Sequence, residues 1–160
     1  MPRKDESALL CIAVCDSKRR FTFFDISQVA TTHDSTAWGR SKLGARVNDG
    51  GLPPPFFLNG DNAFVLSNSM IVPSGAPEDD DFDYYQSSAR MPIECAFGIL
   101  VRRWGVLWRP LEMRFDRRAA VAGACMRLHN FCINSGIGIT VLPDRGVMSE
   151  IQPGRWQYTP

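Results

Sequence analysis

One long stretch of the chain decides the fold, residues 90–111, with the sequence RMPIECAFGILVRRWGVLWRPL. Its apolar side chains recur alternately four and three positions apart, which is the spacing of one buried helix face. At about 100° of rotation per residue, the carboxylate of Glu94 is predicted at the border of that face. A carboxylate at the edge of a core is costly unless a cation, a metal ion or a hydrogen-bond donor lies beside it. The apolar face consists of Ile93, Phe97, Leu100, Trp104 and Leu107.

A second carboxylate follows an apolar run further upstream. Residues 53–61, PPPFFLNGD, read as a buried strand that closes in a turn, and Asp61 lies at the end of this run. A strand-end Asp and a helix-edge Glu are the residue types that a divalent-metal site for phosphodiester chemistry requires. Asp61 and Glu94 are therefore candidate metal ligands. In a purely structural alternative, Glu94 forms a salt bridge with Arg90 or Arg102 on the same helix.

The charge of the chain is small overall but strongly segregated. The 160 residues carry a formal net charge of +1, and this length suits one domain with a sizeable core. A locally basic face can bind nucleic acid even in a near-neutral protein, although a solvated helix face explains the same charges. The acidic segment comprises Glu78, Asp79, Asp80, Asp81 and Asp83, and the arginines that follow are Arg90, Arg102, Arg103, Arg109, Arg114, Arg117 and Arg118.

The cysteines indicate a reducing compartment with buried thiols. The chain has five of them, an odd number, with no CxxC pair and no apolar signal segment at its start. Cys125, His129 and Cys132 offer a weak zinc pattern, but the two cysteines also continue an apolar helical stripe, which is the favoured interpretation. No run approaches the roughly 18 apolar residues of a membrane span.

The order of the elements predicts an α/β or α+β fold, with a small mixed sheet and flanking helices. An antiparallel hairpin comes first, followed by a helix, a third strand and two longer helices. The predicted strands cover residues 9–15, 20–26 and 56–59. The first predicted helix covers residues 31–43, the second runs from Ser87 or Ser88 to about Trp108, and the third runs from Asp116 to about Asn134.

The remaining segments are predicted to be connections. Residues 64–73 read as a short helix plus a loop, and residues 78–83 are expected to be exposed and mobile. Gly136 is the predicted stop signal of the last helix. The chain is thus expected to contain one domain, followed by an irregular extension over residues 136–160.

Four motifs occur in the order in which a known family carries them, and together they cover roughly residues 4–135. The sequence resembles the PIF/Harbinger transposases, a group that includes the Harbinger transposase-derived nucleases and carries a DDE domain of the Tnp4 type. The four motifs are THDSTAW (residues 32–38), GDNAF (residues 60–64), SSARMPIECAFGILVRRWGVLWRPL (residues 87–111) and CMRLHNFCI (residues 125–133).

This resemblance implies an RNase H-like fold and a metal-dependent activity that cleaves and transfers DNA strands in the nucleus. Asp61 matches the family's strand-end GD motif, Glu94 matches the acidic residue of its helix, and Asp34 matches the Asp of its HD motif. The resemblance therefore implies Asp61 and Glu94 as catalytic residues, and all three carboxylates as ligands of Mg²⁺ or Mn²⁺. A helix cap is the structural alternative for Asp34.

The resemblance also implies partners. Arg90, Arg102 and Arg109 would lie near the DNA backbone, where arginine pairs well with phosphate. A Myb-like protein is a further implied partner, as in the family, and no membrane is implied.

One part of the family pattern has no match. The family's first catalytic Asp lies on a strand before the hairpin, in a motif near DGTH, whereas Met1 here stands directly before the hairpin. We therefore expect an N-terminally truncated form that lacks this first strand and has impaired hydrolysis. The alternative is a transposase-derived module that binds DNA or protein without turnover.

Overall fold

The computed structural model of the protein describes residues 8–138. Residues 1–7, on which the expected lack of a first strand depends, and most of the expected C-terminal extension fall outside these residues. Within them lie four strands and four α-helices, so the expected combination of helices and small sheets is confirmed. The elements are β1 (Leu9–Cys15), β2 (Phe21–Val29), α1 (Asp34–Arg40), α2 (Lys42–Asn48), β3 (Leu58–Asn59), β4 (Met70–Ile71), α3 (Asp80–Arg103) and α4 (Phe115–Asn134).

The predicted hairpin is confirmed, since β1 and β2 pair in antiparallel register. The turn between them depends on one carboxylate. Asp16 Oδ1 accepts hydrogen bonds from the backbone N–H groups of Lys18 (2.9 Å) and Arg20 (3.0 Å). Asp16 Oδ2 also forms a salt bridge with the Arg20 guanidinium at 2.6 Å. These contacts hold Arg19 in the left-handed region, with φ of 65°, a conformation that non-glycine residues rarely adopt.

The expected single mixed sheet is wrong for the described part of the chain, where two separate two-stranded sheets form. One is the β1–β2 hairpin, and the other is the parallel pair β3–β4. The third strand is only two residues long because the chain is still turning at Phe56, whose N–H bonds the Pro53 carbonyl at 3.0 Å. Residues 64–73 contain β4 rather than the expected short helix.

The helix expected over residues 31–43 is two helices, α1 and α2, which divide at Ser41. The Ser41 hydroxyl donates to the Trp38 carbonyl at 2.8 Å and accepts from the Gly44 N–H at 3.0 Å. A serine that bonds an N–H of the next helical turn is a favourable helix cap, and it begins α2 at this point. The chain therefore turns between two short helices, and Trp38 and Val47 are buried beneath them.

The long helix α3 begins earlier than its apolar pattern predicted. It starts at Asp80, not at Ser87 or Ser88, so most of the acidic segment is helical. Carboxylates in a first helical turn are stabilised by the helix dipole, which explains this start. Because of this earlier start, Pro92 lies inside the helix and not in its first turn. The α-helix ends at Arg103, and a 3-10 turn follows.

Helices cover both faces of the hairpin. The side chains of β1 alternate, so Leu10, Ile12 and Val14 join a core cluster with α1, α2 and β4. The intervening residues of β1, Cys11 and Ala13 among them, join a second cluster with α3 and α4. The apolar face predicted for the long helix is confirmed, since all five of its side chains belong to this second cluster.

The five thiols are all free. Burial raises the pKa of the Cys11 thiol to about 12, and Asp25 adds to this effect. Burial likewise raises the pKa of Cys15 to about 11, with smaller contributions from Asp16 and Cys95. These two thiols are therefore protonated and unreactive at neutral pH.

The last helix is confirmed almost as predicted, with Phe115–Asn134 observed. Gly136 has φ of 65°, and the N–H of Ile137 bonds the Cys132 carbonyl at 2.9 Å. This left-handed glycine ends the helix as predicted. Neither α4 nor any other helix within residues 8–138 is long and apolar enough to cross a membrane.

The cluster beneath α4 yields a stability prediction. Met126 is only 1% exposed, whereas Leu128, two positions away, is 47% exposed. Met126→Ala should lower the free energy of unfolding by about 2–5 kcal/mol because it leaves a cavity. Leu128→Ala is the matched control and should cost less than about 1 kcal/mol. Urea denaturation of both variants measures the difference, and equal losses would contradict this packing.

Candidate functional site

Asp61 lies where the sequence predicted it, directly beyond β3. Its side chain is half-buried, and Asp61 Oδ1 accepts a hydrogen bond from the Ala63 N–H at 2.9 Å. Its backbone carbonyl accepts from the Phe64 N–H at 3.2 Å. The predicted strand-end turn is thus confirmed, and it fixes the carboxylate at the carboxyl end of the parallel pair.

Glu94 is exposed on α3, which corrects its expected place at the border of the buried face. Glu94 follows Ile93 by one position, about 100° around the helix from the middle of that face, and at this angle its side chain is open to solvent. Within residues 8–138 it forms no salt bridge with Arg90 or Arg102, the pairing of the structural alternative.

Arg90 instead contacts a residue that the sequence reasoning missed, Gln86. This side chain is only 4% exposed. Its Nε2 donates to the Gly60 carbonyl at 2.6 Å, and its Oε1 accepts from Arg90 Nε at 3.1 Å. Gln86 therefore ties α3 to the strand end that carries Asp61. The signal was present in the sequence, because Gln86 lies seven positions before Ile93, in phase with the apolar stripe.

Asp34 is the first residue of α1 and is half-buried. The N-cap position belongs to His33, which makes no side-chain capping hydrogen bond. The cap interpretation of Asp34 is therefore wrong, and its carboxylate lies in the first turn, where the helix dipole favours a negative charge.

The three candidate carboxylates do not form a metal-binding group in the described part of the chain. Residues 8–138 contain no cluster of three His, Cys, Asp or Glu side chains that could hold a metal ion. Glu94 lies two helical turns, about 12 Å along the axis, from Gln86, the residue that contacts the Asp61 turn. The donor set of these residues thus does not fit the converging carboxylates of a two-metal centre.

The candidate DNA-contact residues differ in their surroundings. Arg102 and Arg109 are exposed at the end of α3 and just beyond the 3-10 turn. Arg90 is half-buried and holds Gln86. Arg103 Nη2 donates to the Ile137 carbonyl at 2.8 Å. Of the three candidates, Arg102 and Arg109 therefore present to solvent side chains that form no hydrogen bond or salt bridge within residues 8–138.

Comparison with known proteins assigns the chain to a family. The sequence pattern of the DDE superfamily endonucleases matches residues 1–130, which include the strand end with Asp61 and the helix with Glu94. The chain belongs to the DDE superfamily endonucleases. Nucleases of this superfamily typically use divalent metal ions. No curated protein and no solved structure matches the chain.

A second set of polar contacts joins α4 to the hairpin of this DDE domain. His129 is fully buried, and its Nε2–H donates to the Arg19 carbonyl at 2.8 Å. The Asn130 side chain both accepts from the Phe21 N–H and donates to the Phe21 carbonyl, each at 2.8 Å. Arg20 Nη1 reaches Asn134 Oδ1 at 3.0 Å. We call these contacts the hairpin latch. The sequence presented His129 as a weak zinc ligand, and its surroundings show a structural role.

The surroundings of His129 favour the neutral imidazole. Burial lowers its pKa below the usual 6.5, and the positive charge of Arg103 adds to the effect, against an opposing contribution from the Arg19 carbonyl. Its Nδ1 is buried and has no hydrogen-bond partner among the described residues. Protonation would place a donor there without an acceptor, which is unfavourable in a buried position.

This histidine predicts a pH dependence of stability. Because its pKa is lower in the folded chain, the unfolded chain binds the proton first, so stability falls as the pH drops below about 6.5. In His129→Gln this part of the pH dependence should disappear. His33→Gln, at an exposed position, is the matched control and should keep it. Urea denaturation of both variants between pH 7.5 and pH 5, a range around the ordinary histidine pKa of about 6.5, measures this dependence. The same dependence of stability on pH in His129→Gln and His33→Gln would refute the role given to His129.

Proposed function

We propose that the chain is a transposase-type nuclease domain of the PIF/Harbinger group, acting on DNA in the nucleus. The family membership carries this proposal, since it spans residues 1–130 and includes both principal carboxylates. The arginine-rich end of α3 supports DNA as the partner, because Arg102 and Arg109 are exposed there and arginine pairs well with backbone phosphate.

We also propose an RNase H-like arrangement for this domain. An antiparallel hairpin, a helical connection, a parallel strand pair and a long helix follow one another in the chain. Asp61 at the carboxyl end of β3 and Glu94 on the next long helix occupy the positions that the resemblance assigns to catalytic carboxylates. These placements support the proposal at the level of topology.

The proposed catalytic carboxylates are Asp61 and Glu94, with Asp34 as a further ligand of Mg²⁺ or Mn²⁺. We infer impaired hydrolysis, because three acidic ligands do not come together within residues 8–138. Mg²⁺ keeps several waters and is often held by one or two carboxylates plus substrate phosphates. Metal binding by these residues should therefore be weak without DNA.

The lack of converging carboxylates within residues 8–138 also favours a second candidate function. A transposase-derived module can retain a DNA-binding face without turnover, and a set of carboxylates that does not converge suits that outcome. Such a module would contact DNA through the exposed arginines of α3, or a Myb-like protein through its helices. Metal binding distinguishes the two candidates.

Titration with Mn²⁺, followed by calorimetry, tests the proposed site. We expect weak, saturable binding by the wild type, and its loss in Asp61→Asn/Glu94→Gln, because both proposed ligands lose their charge. Asp49→Asn/Glu112→Gln removes the same two charges from exposed positions and should bind as the wild type does. Equal binding by the wild type and the Asp61/Glu94 variant would refute the site. Absence of binding in every form would favour the module without turnover.

Salt dependence tests the proposed DNA face. Binding to duplex DNA should weaken steeply as NaCl rises, with a slope of about 0.9 in log–log units for each phosphate contact. Arg102→Ala/Arg109→Ala should reduce that slope, because each arginine is expected to neutralise one phosphate. Arg46→Ala/Arg40→Ala removes the same charge from α1 and α2, on the other face of the hairpin, and should leave the slope unchanged. Fluorescence anisotropy at several NaCl concentrations gives the slopes, and equal slopes for the two double variants would contradict this face.

A further inference from the structure

The outer edge of β2, the edge that faces away from β1, has no partner strand within residues 8–138. Along its other edge, β2 pairs with β1. Phe23, Phe24 and Ile26 of β2 are only half-buried, although helices cover both faces of the hairpin. An open edge presents backbone N–H and C=O groups that can pair with a further strand.

One end of this edge is bound by a side-chain amide. The Phe21 N–H donates to Asn130 Oδ1, and the Phe21 carbonyl accepts from Asn130 Nδ2, each at 2.8 Å. A carboxamide carries the same donor and acceptor as a peptide group. Asn130 therefore makes the two hydrogen bonds that one residue of a neighbouring strand would make, and both backbone groups of Phe21 face outward.

A groove of about 440 Å³ lies along the same edge and begins two residues beyond Phe21. One side of the groove is formed by residues 23–27 of β2, and the opposite side includes Ala119, Ala120 and Gly123 of α4. Because these α4 residues are small, they leave room for a chain beside β2. Five residues of a strand span roughly 16 Å, so the edge along the groove is long enough to pair with a short peptide.

Two cations line the groove from opposite faces of the hairpin. Lys42 begins α2, which belongs to the apolar cluster on one face, whereas Arg127 belongs to α4 on the other face. The Arg127 guanidinium lies over the Phe24 ring, 5.3 Å from its centroid, so its position is fixed. Both cations are exposed, and neither forms a salt bridge within residues 8–138.

Asp25 is the one carboxylate among the described residues that line the groove. Its Oδ1 accepts a hydrogen bond from the Ser27 N–H of its own strand at 2.9 Å. Two cations with open positions therefore stand against one carboxylate that is already bonded. This charge balance favours a ligand that carries negative charge.

The chemistry of the edge favours a peptide over other occupants. A strand edge presents both N–H donors and C=O acceptors, whereas the phosphate oxygens of a nucleic acid only accept. A second copy paired through β2 would bring its own Lys42 and Arg127 to the groove, and like charges repel. The acidic residues of this chain at positions 80–83 lie in the first turn of α3 and not in an extended segment.

We propose that the outer edge of β2 binds an extended acidic segment of a partner protein as an added strand. Main-chain hydrogen bonds would give affinity, and the groove would select the side chains. Because successive side chains of a strand point to opposite faces, two consecutive carboxylates would meet Lys42 on one face and Arg127 on the other. The segment should therefore carry Asp or Glu at two consecutive positions.

Peptide binding at this groove does not depend on the proposed nuclease function. The groove contains none of the residues given to that function, neither the two catalytic carboxylates nor the exposed arginines at the end of α3.

Fluorescence anisotropy of labelled peptides, titrated with the full chain, tests the proposal. The peptide TVDEVT carries its carboxylates on opposite faces and should bind. TDVEVT has the same composition with both carboxylates on one face, so it should bind about two- to fivefold more weakly, because one cation then lacks a partner. TVNQVT, which has nearly the same shape without the charges, should bind more weakly still.

Methyl groups on backbone nitrogens separate strand addition from charge attraction. Methylation of the TVDEVT residues whose N–H groups face β2 should weaken binding at least about tenfold, because their hydrogen bonds to the edge are lost. Methylation of the intervening residues should leave binding unchanged. Equal binding by the two methylated peptides would contradict strand addition.

A pair of tryptophan variants tests the place of binding. Ala120→Trp lies at an exposed position in the groove and should prevent peptide binding, because the indole fills the space beside β2. Ala124→Trp, one turn further along α4, is also exposed and lies outside the groove, so this matched control should bind as the wild type does.

Several outcomes would overturn the proposal. Failure of the wild type to bind TVDEVT does so, as does equal binding of TVDEVT and TVNQVT or equal binding by the two tryptophan variants. Slow hydrogen–deuterium exchange of the outer β2 amides without peptide would assign the edge to the chain itself, or to a second copy if dilution removes the protection. Loss of duplex-DNA binding in Ala120→Trp alone, without peptide binding by the wild type, would assign the groove to nucleic acid.

Discussion

The hairpin latch is the contact on which the rest of the structure depends. The Asn130 amide bonds both the N–H and the carbonyl of Phe21. A side chain, not a neighbouring strand, therefore satisfies these backbone groups at the start of β2. His129 bonds the turn itself, through the carbonyl of a residue held in the left-handed region. The turn must therefore form for α4 to dock, and α4 then supplies Cys125 and Met126 to the cluster under α3.

Elements whose signal is local were predicted well. The hairpin was readable because two apolar runs flank turn chemistry at Asp16, and α4 because its stop signal is a glycine in the left-handed region. The start of α3 was placed too late because Pro92 usually marks a first turn, whereas here the helix continues through it. The division at Ser41 depends on one hydroxyl that bonds two backbone groups, which periodicity does not reveal.

The candidate site was predictable only in part. The position of Asp61 follows from its own strand and turn, so the sequence sufficed. The exposure of Glu94 could not be read from the periodicity, because a side chain about 100° from the middle of a buried face is covered or left open according to how the neighbouring elements pack. Convergence of carboxylates is set by how separate elements approach one another, and no spacing within one segment encodes that distance.

Gln86 has a consequence for how the two halves of the candidate site communicate. Its amide nitrogen holds the Gly60 carbonyl beside Asp61, and its amide oxygen is held by Arg90. A phosphate that draws the Arg90 guanidinium away would leave the buried Gln86 oxygen without its donor and free the amide to reorient. The free energy of anion binding at Arg90 and the stability of the Asp61 turn would then be coupled, and such coupling is reciprocal. An anion bound at the arginine would then loosen the strand end, and a ligand that rigidifies the strand end would change the affinity for the anion by the same factor.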